Sequence, residues 1–334
     1  MGSSAEAGTG SRAAGVVLPG DRALGILLVV ISACAFGSGA LFARPVYAAG
    51  MDWIGLLAWR FLFGAAVAWL WLLARPANRA ALWRLARRRL VVLVAMGILY
   101  TGNSGTYYAA LESVPASLAA LIVYIYPVLV AVLSIRWGRG LSGRRPWLAL
   151  ATASLGVALA LGGIDPGAAP PLAGLLLAAV SPLIYSVWIV LSARLGGERS
   201  RGEAAAQEES DPAPATAVMM TATWAAWWLI ATVTGRPVTP AAVPPEAWLG
   251  LLGVGVISTA VAIQAFYAGT RRIGAADAAM ISTVEPAWTI SLATLLFGEH
   301  LTPVQLLGGV LVIAAVLVAQ RSASRTEPAV HAEV

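Results

Sequence analysis

The stretch Ala275 to Leu296, AADAAMISTVEPAWTISLATLL, decides how the rest of the chain is read. It is long enough to cross a bilayer, which takes about 20 apolar residues. It also carries a carboxylate, Glu285, near its middle. A charge at the centre of a membrane helix costs roughly 2.5–3.5 kcal/mol on insertion scales. Pro286 follows at once, removing a backbone donor and freeing a carbonyl. An apolar segment that holds an acid and a proline side by side at mid-depth reads as one wall of a solute pathway.

Composition agrees with a membrane reading. Hydrophobic residues make up 59% of the 334 and charged residues 11%. A typical globular protein is roughly 25% charged, so a soluble domain is excluded. Ten apolar stretches of near-membrane length are expected to be helices: 23–44, 53–74, 90–111, 116–135, 147–164, 172–193, 216–234, 247–269, 275–296 and 303–320. The expected fold is therefore an all-α integral membrane protein with ten transmembrane helices. Residues 1–22 are small, polar and Gly-rich, and read as a disordered cytoplasmic tail. They lack the features of a cleaved leader.

All 22 basic residues are arginine. Without lysine there is no P-loop, so ATP hydrolysis by that route is excluded. The one cysteine, Cys34, rules out an internal disulfide. Histidine occurs only at His300 and His331, and no HExxH pattern is present. No metal site and no cofactor are expected. The net charge of +6 does not mark a nucleic-acid binder, because the arginines follow the loops. With the N-terminus inside, nineteen of the 22 lie in inside segments and only Arg236 lies in an outside loop. That asymmetry fixes both termini on the cytoplasmic side of the cell membrane.

The chain also repeats itself. Residues 108–127, YAALESVPASLAALIVYIYP, align with residues 267–286, YAGTRRIGAADAAMISTVEP, with seven of 20 positions identical. Among these are Tyr108/Tyr267 and Pro127/Pro286. The turn in the first copy carries Glu112-Ser113 and lies outside; the turn in the second carries Arg271-Arg272 and lies inside. Five spans per copy turn the second half over. The expected architecture is two inverted five-helix repeats, 23–164 and 172–320, joined by an outside loop at 165–171. An inside loop spans 195–214 and a cytoplasmic tail 321–334. Secondary transporters use such repeats, with the solute near the midplane where the halves meet.

At this level the chain resembles the drug/metabolite transporter superfamily, in particular its EamA-like ten-helix members. The residues that carry the resemblance are Phe36-Gly37, Arg60-Phe61, Tyr108-Ala109-Ala110-Leu111, Tyr126-Pro127, Glu285-Pro286 and Gly298-Glu299. Departures are Phe36 where relatives often have Trp, Gly138-Arg139 where they often have Gly-Glu, and a longer loop after the sixth span. The resemblance implies secondary transport by alternating access. Its solute would be a small metabolite such as an amino acid, moved in the export direction by proton coupling or exchange. A membrane-embedded enzyme or a non-transporting scaffold is the alternative. The implied partners are the solute and the lipid bilayer; oligomeric state is left open.

Candidate site residues follow. Glu285 either binds a cationic group or a proton, or only ties helices together. Arg60, a third of the way into the second span, either attracts a carboxylate or pairs with Glu285. Otherwise it bonds backbone carbonyls or reaches an interface. Asn103, Tyr107, Tyr124, Tyr126, Tyr185, Trp188, Gln264 and Tyr267 supply aromatic and amide groups suited to a mostly apolar pocket. Each could equally pack between helices. Tyr126 occupies the repeat slot of Glu285, so the two are expected to face each other. Asp277 and Arg44 read as structural and interfacial. Trp53, Trp69, Trp71 and Trp248 read as interface anchors.

Overall fold

The computed structural model describes residues 19–137, 144–162, 169–195, 212–236, 238–273, 281–282 and 284–324. Most of the two expected tails and of the loop 195–214 lie outside these residues. So do the basic turn after Trp137 and the start of the ninth span with Asp277.

Every regular element among the described residues is helical. In chain order they are α1 (Pro19–Gly37), α2 (Gly39–Ala48), α3 (Trp53–Ala74), α4 (Pro76–Trp83), α5 (Arg87–Leu111), α6 (Ala116–Val123) and α7 (Tyr126–Trp137). There follow α8 (Arg145–Gly162), α9 (Leu172–Leu195), α10 (Pro212–Val233), α11 (Ala247–Leu252), α12 (Ala262–Ile273), α13 (Val284–Phe297) and α14 (Pro303–Ser324). Between α11 and α12, Gly253–Val261 is wound as a π-helix. The hydroxyl of Thr259 donates to the carbonyl of Val254, five residues back, at 2.9 Å.

Among the described residues, six helices are long and apolar enough to cross a membrane: Arg22–Ala48, Trp53–Ala74, Arg87–Leu111, Leu172–Leu191, Ala213–Val233 and Ala247–Phe266. Shorter apolar helices at Ala116–Val130, Trp147–Leu159, Val284–Phe297 and Pro303–Ala315 stand where the other four spans were expected. The outward surface is what lipid requires. Leu249 and Leu295 are 80% and 78% exposed, and such exposed apolar side chains recur on nearly every long helix.

The first span is broken at Ser38, between α1 and α2, and extends to Ala48 rather than Arg44. The fourth is broken at residues 124–125. Pro127 has no N–H to give the carbonyl four residues earlier, which favours a break there without forcing one; Pro182 lies inside an uninterrupted α9. The arginine-rich segment after the second span holds a further short helix, α4, started by Pro76 at its first turn. Two of the expected tryptophan anchors turn inward instead. Trp53 meets Trp227 edge-on at 5.4 Å, and Trp248 meets Trp59 at 5.0 Å. Trp69 donates its indole N–H to Thr221 at 2.8 Å. Trp71 is exposed, with the Arg75 guanidinium 4.3 Å above its ring.

The helices pair in a regular way. α8 lies along α14, and α1 along α12; α10 sits against both α3 and α5. α9 packs on α5 and α7, the π-helical segment on α3, and α13 on α1 and α6. The breaks at Ser38, at 124–125 and before Val284 therefore belong to helices that touch one another.

Candidate functional site

The site grows from the two prolines. Pro286 cannot donate to the carbonyl of Ser282, so that oxygen needs another partner. The amide of Glu285 reaches it in a tight turn at 3.0 Å. The hydroxyl of Tyr124, from the break between α6 and α7, also donates to it. One broken helix thus completes the backbone of the other.

Glu285 lies in the first turn of α13, half-buried. Its backbone carbonyl accepts from the Thr289 hydroxyl at 3.0 Å, and that hydroxyl lies 2.9 Å from the carbonyl of Gly37. A Cβ on Gly37 would come within 2.7 Å of the Thr289 hydroxyl and 3.0 Å of the Glu285 carbonyl. Only a residue without a side chain lets α1 end there. Trp288 then donates its indole N–H to Ser38 at 3.0 Å, seating the break of the first span on the start of α13. Among the described residues, no group donates a hydrogen bond to the Glu285 carboxylate, and no arginine pairs with it.

Tyr124, whose hydroxyl reaches the Ser282 carbonyl beside Glu285, opens a row of rings. Tyr124 meets Tyr126 at 5.5 Å, Tyr126 meets Tyr185 at 4.8 Å, and Tyr185 stacks on Trp188 at 6.0 Å. Tyr100 closes the row, 5.1 Å from Trp188 and 6.3 Å from Tyr185, and touches Phe61 at 6.0 Å. Edge-to-face pairs of this kind hold rings at fixed angles. Hydrogen bonds fix them further. Ser186 lies 3.3 Å from the carbonyl of Tyr126, and Trp188 donates to the carbonyl of Met96 at 3.1 Å. Tyr100, Tyr107, Tyr124 and Tyr126 all lie close enough to Glu285 to feel its charge. Sequence reasoning missed Tyr100. The repeat offset that pairs Tyr126 with Glu285 pairs Tyr100 with Thr259, which was the available signal.

Arg60 is placed elsewhere. It is 6% exposed, and its Nε donates to the Thr259 hydroxyl at 2.8 Å. Its guanidinium lies 4.6 Å from the centre of the Tyr108 ring and 5.1 Å from that of Phe61. It neither pairs with Glu285 nor reaches an interface. Tyr100 meets Phe61, the ring beside Arg60, at 6.0 Å. Tyr107 sets its ring edge-on to Tyr108 at 5.3 Å. Asn103 is tied by its side-chain oxygen to the Ser181 hydroxyl at 3.0 Å. Gln264 is half-buried and makes no hydrogen bond among the described residues. The side chain of Tyr267 lies outside them.

The expected outside ends of the helices are tied differently. Gly298, at φ +65°, terminates α13 and turns the chain back so that Glu299 faces its neighbours. The Glu299 carboxylate takes Arg44 at 2.8 Å, and the hydroxyl and amide of Ser117 at 2.9 and 3.2 Å. Arg44 also lies 4.2 Å above the Phe297 ring, so it does more than sit at an interface. Asp52 caps α3 and pairs with Arg236 at 2.9 Å. Glu112 accepts the amide of Trp53 at 2.9 Å.

Comparison with known proteins fits this geometry. The sequence matches the EamA-like transporter family twice, over residues 23–162 and 172–320. It is 29% identical, over 88% of its length and 95% of the other's, to a protein of Archaeoglobus fulgidus described as an uncharacterized transporter. It is 26% identical, over 86% and 90%, to the uncharacterized transporter YcbK of Bacillus subtilis. A solved crystal structure of a protein 22% identical superposes with a TM-score of 0.63, covering 92% of this chain and 99% of that one; at that identity it speaks for the fold alone.

Proposed function

The chain belongs to the EamA-like transporter family, a multi-pass membrane transporter rather than an enzyme by family and by the names of its relatives, and from that premise we propose how it works. It is a secondary transporter of a small metabolite, in the export direction. Two inverted five-helix halves alternately expose a site at Glu285 to the two sides of the cell membrane, with both termini cytoplasmic. The observation that carries this reading is a half-buried carboxylate without a partner among the described residues, at the start of a broken helix, beside the Tyr126–Tyr185–Trp188–Tyr100 row. A group that costs this much to hold in lipid is retained where solute, proton or water meets it.

Helix packing supports the two-half arrangement. If the first five expected spans are exchanged with the second five, the observed neighbours map onto one another. α1 on α12 corresponds to α9 on α5, and α13 on α1 corresponds to α7 on α9. The double family match supports it as well. The ties at Glu299, Asp52 and Glu112 support a form closed on its outer side, whose opening must break the Arg44 pair.

Solute counterflow in proteoliposomes tests the reading. Wild type should exchange labelled solute for unlabelled, and Glu285→Gln should lose that exchange, or its dependence on pH, while reaching the membrane normally. Unchanged counterflow by the variant at every pH would remove Glu285 from the mechanism.

A further inference from the structure

We propose that Arg60, Tyr108 and Ser258 form an anion subsite, which takes the carboxylate of the transported solute. The inference rests on the transport reading above and deepens it.

Arg60 is the centre. A guanidinium has five N–H donors and is always charged. Here it is 6% exposed, and among the described residues no carboxylate lies within ion-pair distance. Its partners are neutral: the Thr259 hydroxyl at 2.8 Å and the rings of Tyr108 and Phe61. The Thr259 hydroxyl gives its own proton to Val254, so its role toward Arg60 is that of an acceptor. One hydroxyl and two ring faces leave donors over. A buried cation held this way is stable only at considerable cost, unless an anion visits it.

A second observation points to the same place. Ser258, one residue before Thr259 in the π-helix, is 1% exposed, and its hydroxyl has no hydrogen-bond partner among the described residues. Buried hydroxyls are nearly always paired, so an orphan calls for an explanation. Gly39, at the start of α2, brings Ser258 and Tyr108 together. A Cβ placed on Gly39 would lie 2.9 Å from the Tyr108 hydroxyl and 3.7 Å from that of Ser258. An unused hydroxyl and the phenol that Arg60 touches thus converge on one glycine. The π winding that aims Ser258 and Thr259 here is a feature common at functional sites.

A single negative group meets all of these needs. A carboxylate accepts from the spare guanidinium N–H groups and from the Ser258 hydroxyl. Tyr100 links the two regions, 6.0 Å from Phe61 beside Arg60 and 5.1 Å from Trp188 in the aromatic row.

The test uses the full chain in lipid nanodiscs and follows thermal stabilisation by a series of sodium carboxylates from acetate to 3-phenylpropionate. Each is compared with its neutral amide and with sodium chloride. Carboxylates, not amides, should raise the unfolding midpoint. Arg60→Gln should weaken that binding at least about tenfold, the scale of one charge-assisted hydrogen bond, and Arg60→Lys should restore part of it. Ser258→Ala keeps every charge, should fold at least as well as wild type, and should weaken carboxylate binding about three- to tenfold. Gly39→Ala, whose methyl would press on the Tyr108 hydroxyl at 2.9 Å, should block binding while leaving Arg60 and Ser258 in place. Equal response to acids and amides, no response to any carboxylate, or full binding by Ser258→Ala and Arg60→Gln together would overturn the subsite. Stabilisation by chloride to the same extent would assign the pocket to an inorganic anion and overturn the solute assignment. Counterflow that persists while the acid–amide difference is absent would sink the subsite and leave transport standing. Carboxylate binding without counterflow would do the reverse.

Discussion

The outer ends of the helices and the middle of the bundle handle charge in opposite ways. At the ends, Glu299 takes Arg44 and Ser117, and Asp52 takes Arg236, so each acid there meets a donor within about hydrogen-bond distance. In the middle, Arg60 and Glu285 stand apart with only rings and hydroxyls about them. Paired surface charges hold a shape. Unpaired buried ones cost stability, and a chain keeps them when something transient pairs with them. The difference separates what closes this protein from what it carries.

The contrast can be broken at several points. The largest effect is expected at the midplane: Glu285→Gln should cut solute counterflow by about two orders of magnitude or abolish its pH dependence, with normal expression, since it removes the charge at the middle of that wall. Next is the outer tie. Glu299→Gln loses a charge-assisted contact to Arg44 and weakens those to Ser117, shared by three helices. It should favour the outward-open form, seen as several-fold faster labelling of an outer-side reporter cysteine on a Cys34→Ala background. Arg44→Ala should do the same, and the double variant should add little more.

Smaller changes probe the joints. Gly37→Ala must push a methyl against the Thr289 hydroxyl and the Glu285 backbone. It should lower thermal stability by about 1–3 kcal/mol. Tyr124→Phe removes the hydroxyl that serves the Ser282 carbonyl, a loss of about 1 kcal/mol at most, given the modest worth of hydrogen bonds between membrane helices. The smallest effect belongs to Glu112. Burial, aided by the charge of Asp52, raises its carboxyl above the ordinary 4.5, against the Trp53 amide and Arg236. An acid raised in the folded state destabilises once it ionises, and that penalty fades as pH falls through the raised value toward 4.5. Glu112→Gln should therefore be slightly more stable than wild type at neutral pH. Comparing melting curves from pH 7 down to pH 4.5 should show the difference shrink; a difference that grows would reverse the sign of the argument.

Much of this was legible because single residues dictate it. Pro127 marks the break in the fourth span, though Pro182 leaves α9 whole, and Glu285-Pro286 marks the start of α13. The apolar runs set the helices. What was not legible depends on neighbours. The break at Ser38 has no proline; it exists because Gly37 lets α1 reach Thr289 and Trp288 takes the Ser38 hydroxyl. The π winding at Gly253–Val261 is a helix read correctly as a helix, and its extra residue per turn leaves no mark in hydrophobic spacing. Tyr100 was passed over because a tyrosine in an apolar run looks like packing until Trp188 and Tyr185 are seen beside it. Arg44 looked interfacial because its partner, Glu299, is more than two hundred residues away.

The central claim is that residue 285 meets water from each side in turn. On a Cys34→Ala background, Glu285→Cys in sealed membrane vesicles of known orientation can be treated with a charged, membrane-impermeant thiol reagent from one side or the other. The account predicts modification from both sides. Protection from both sides, as for a side chain turned toward acyl tails, would contradict it, and so would access from one side alone whatever solute is present.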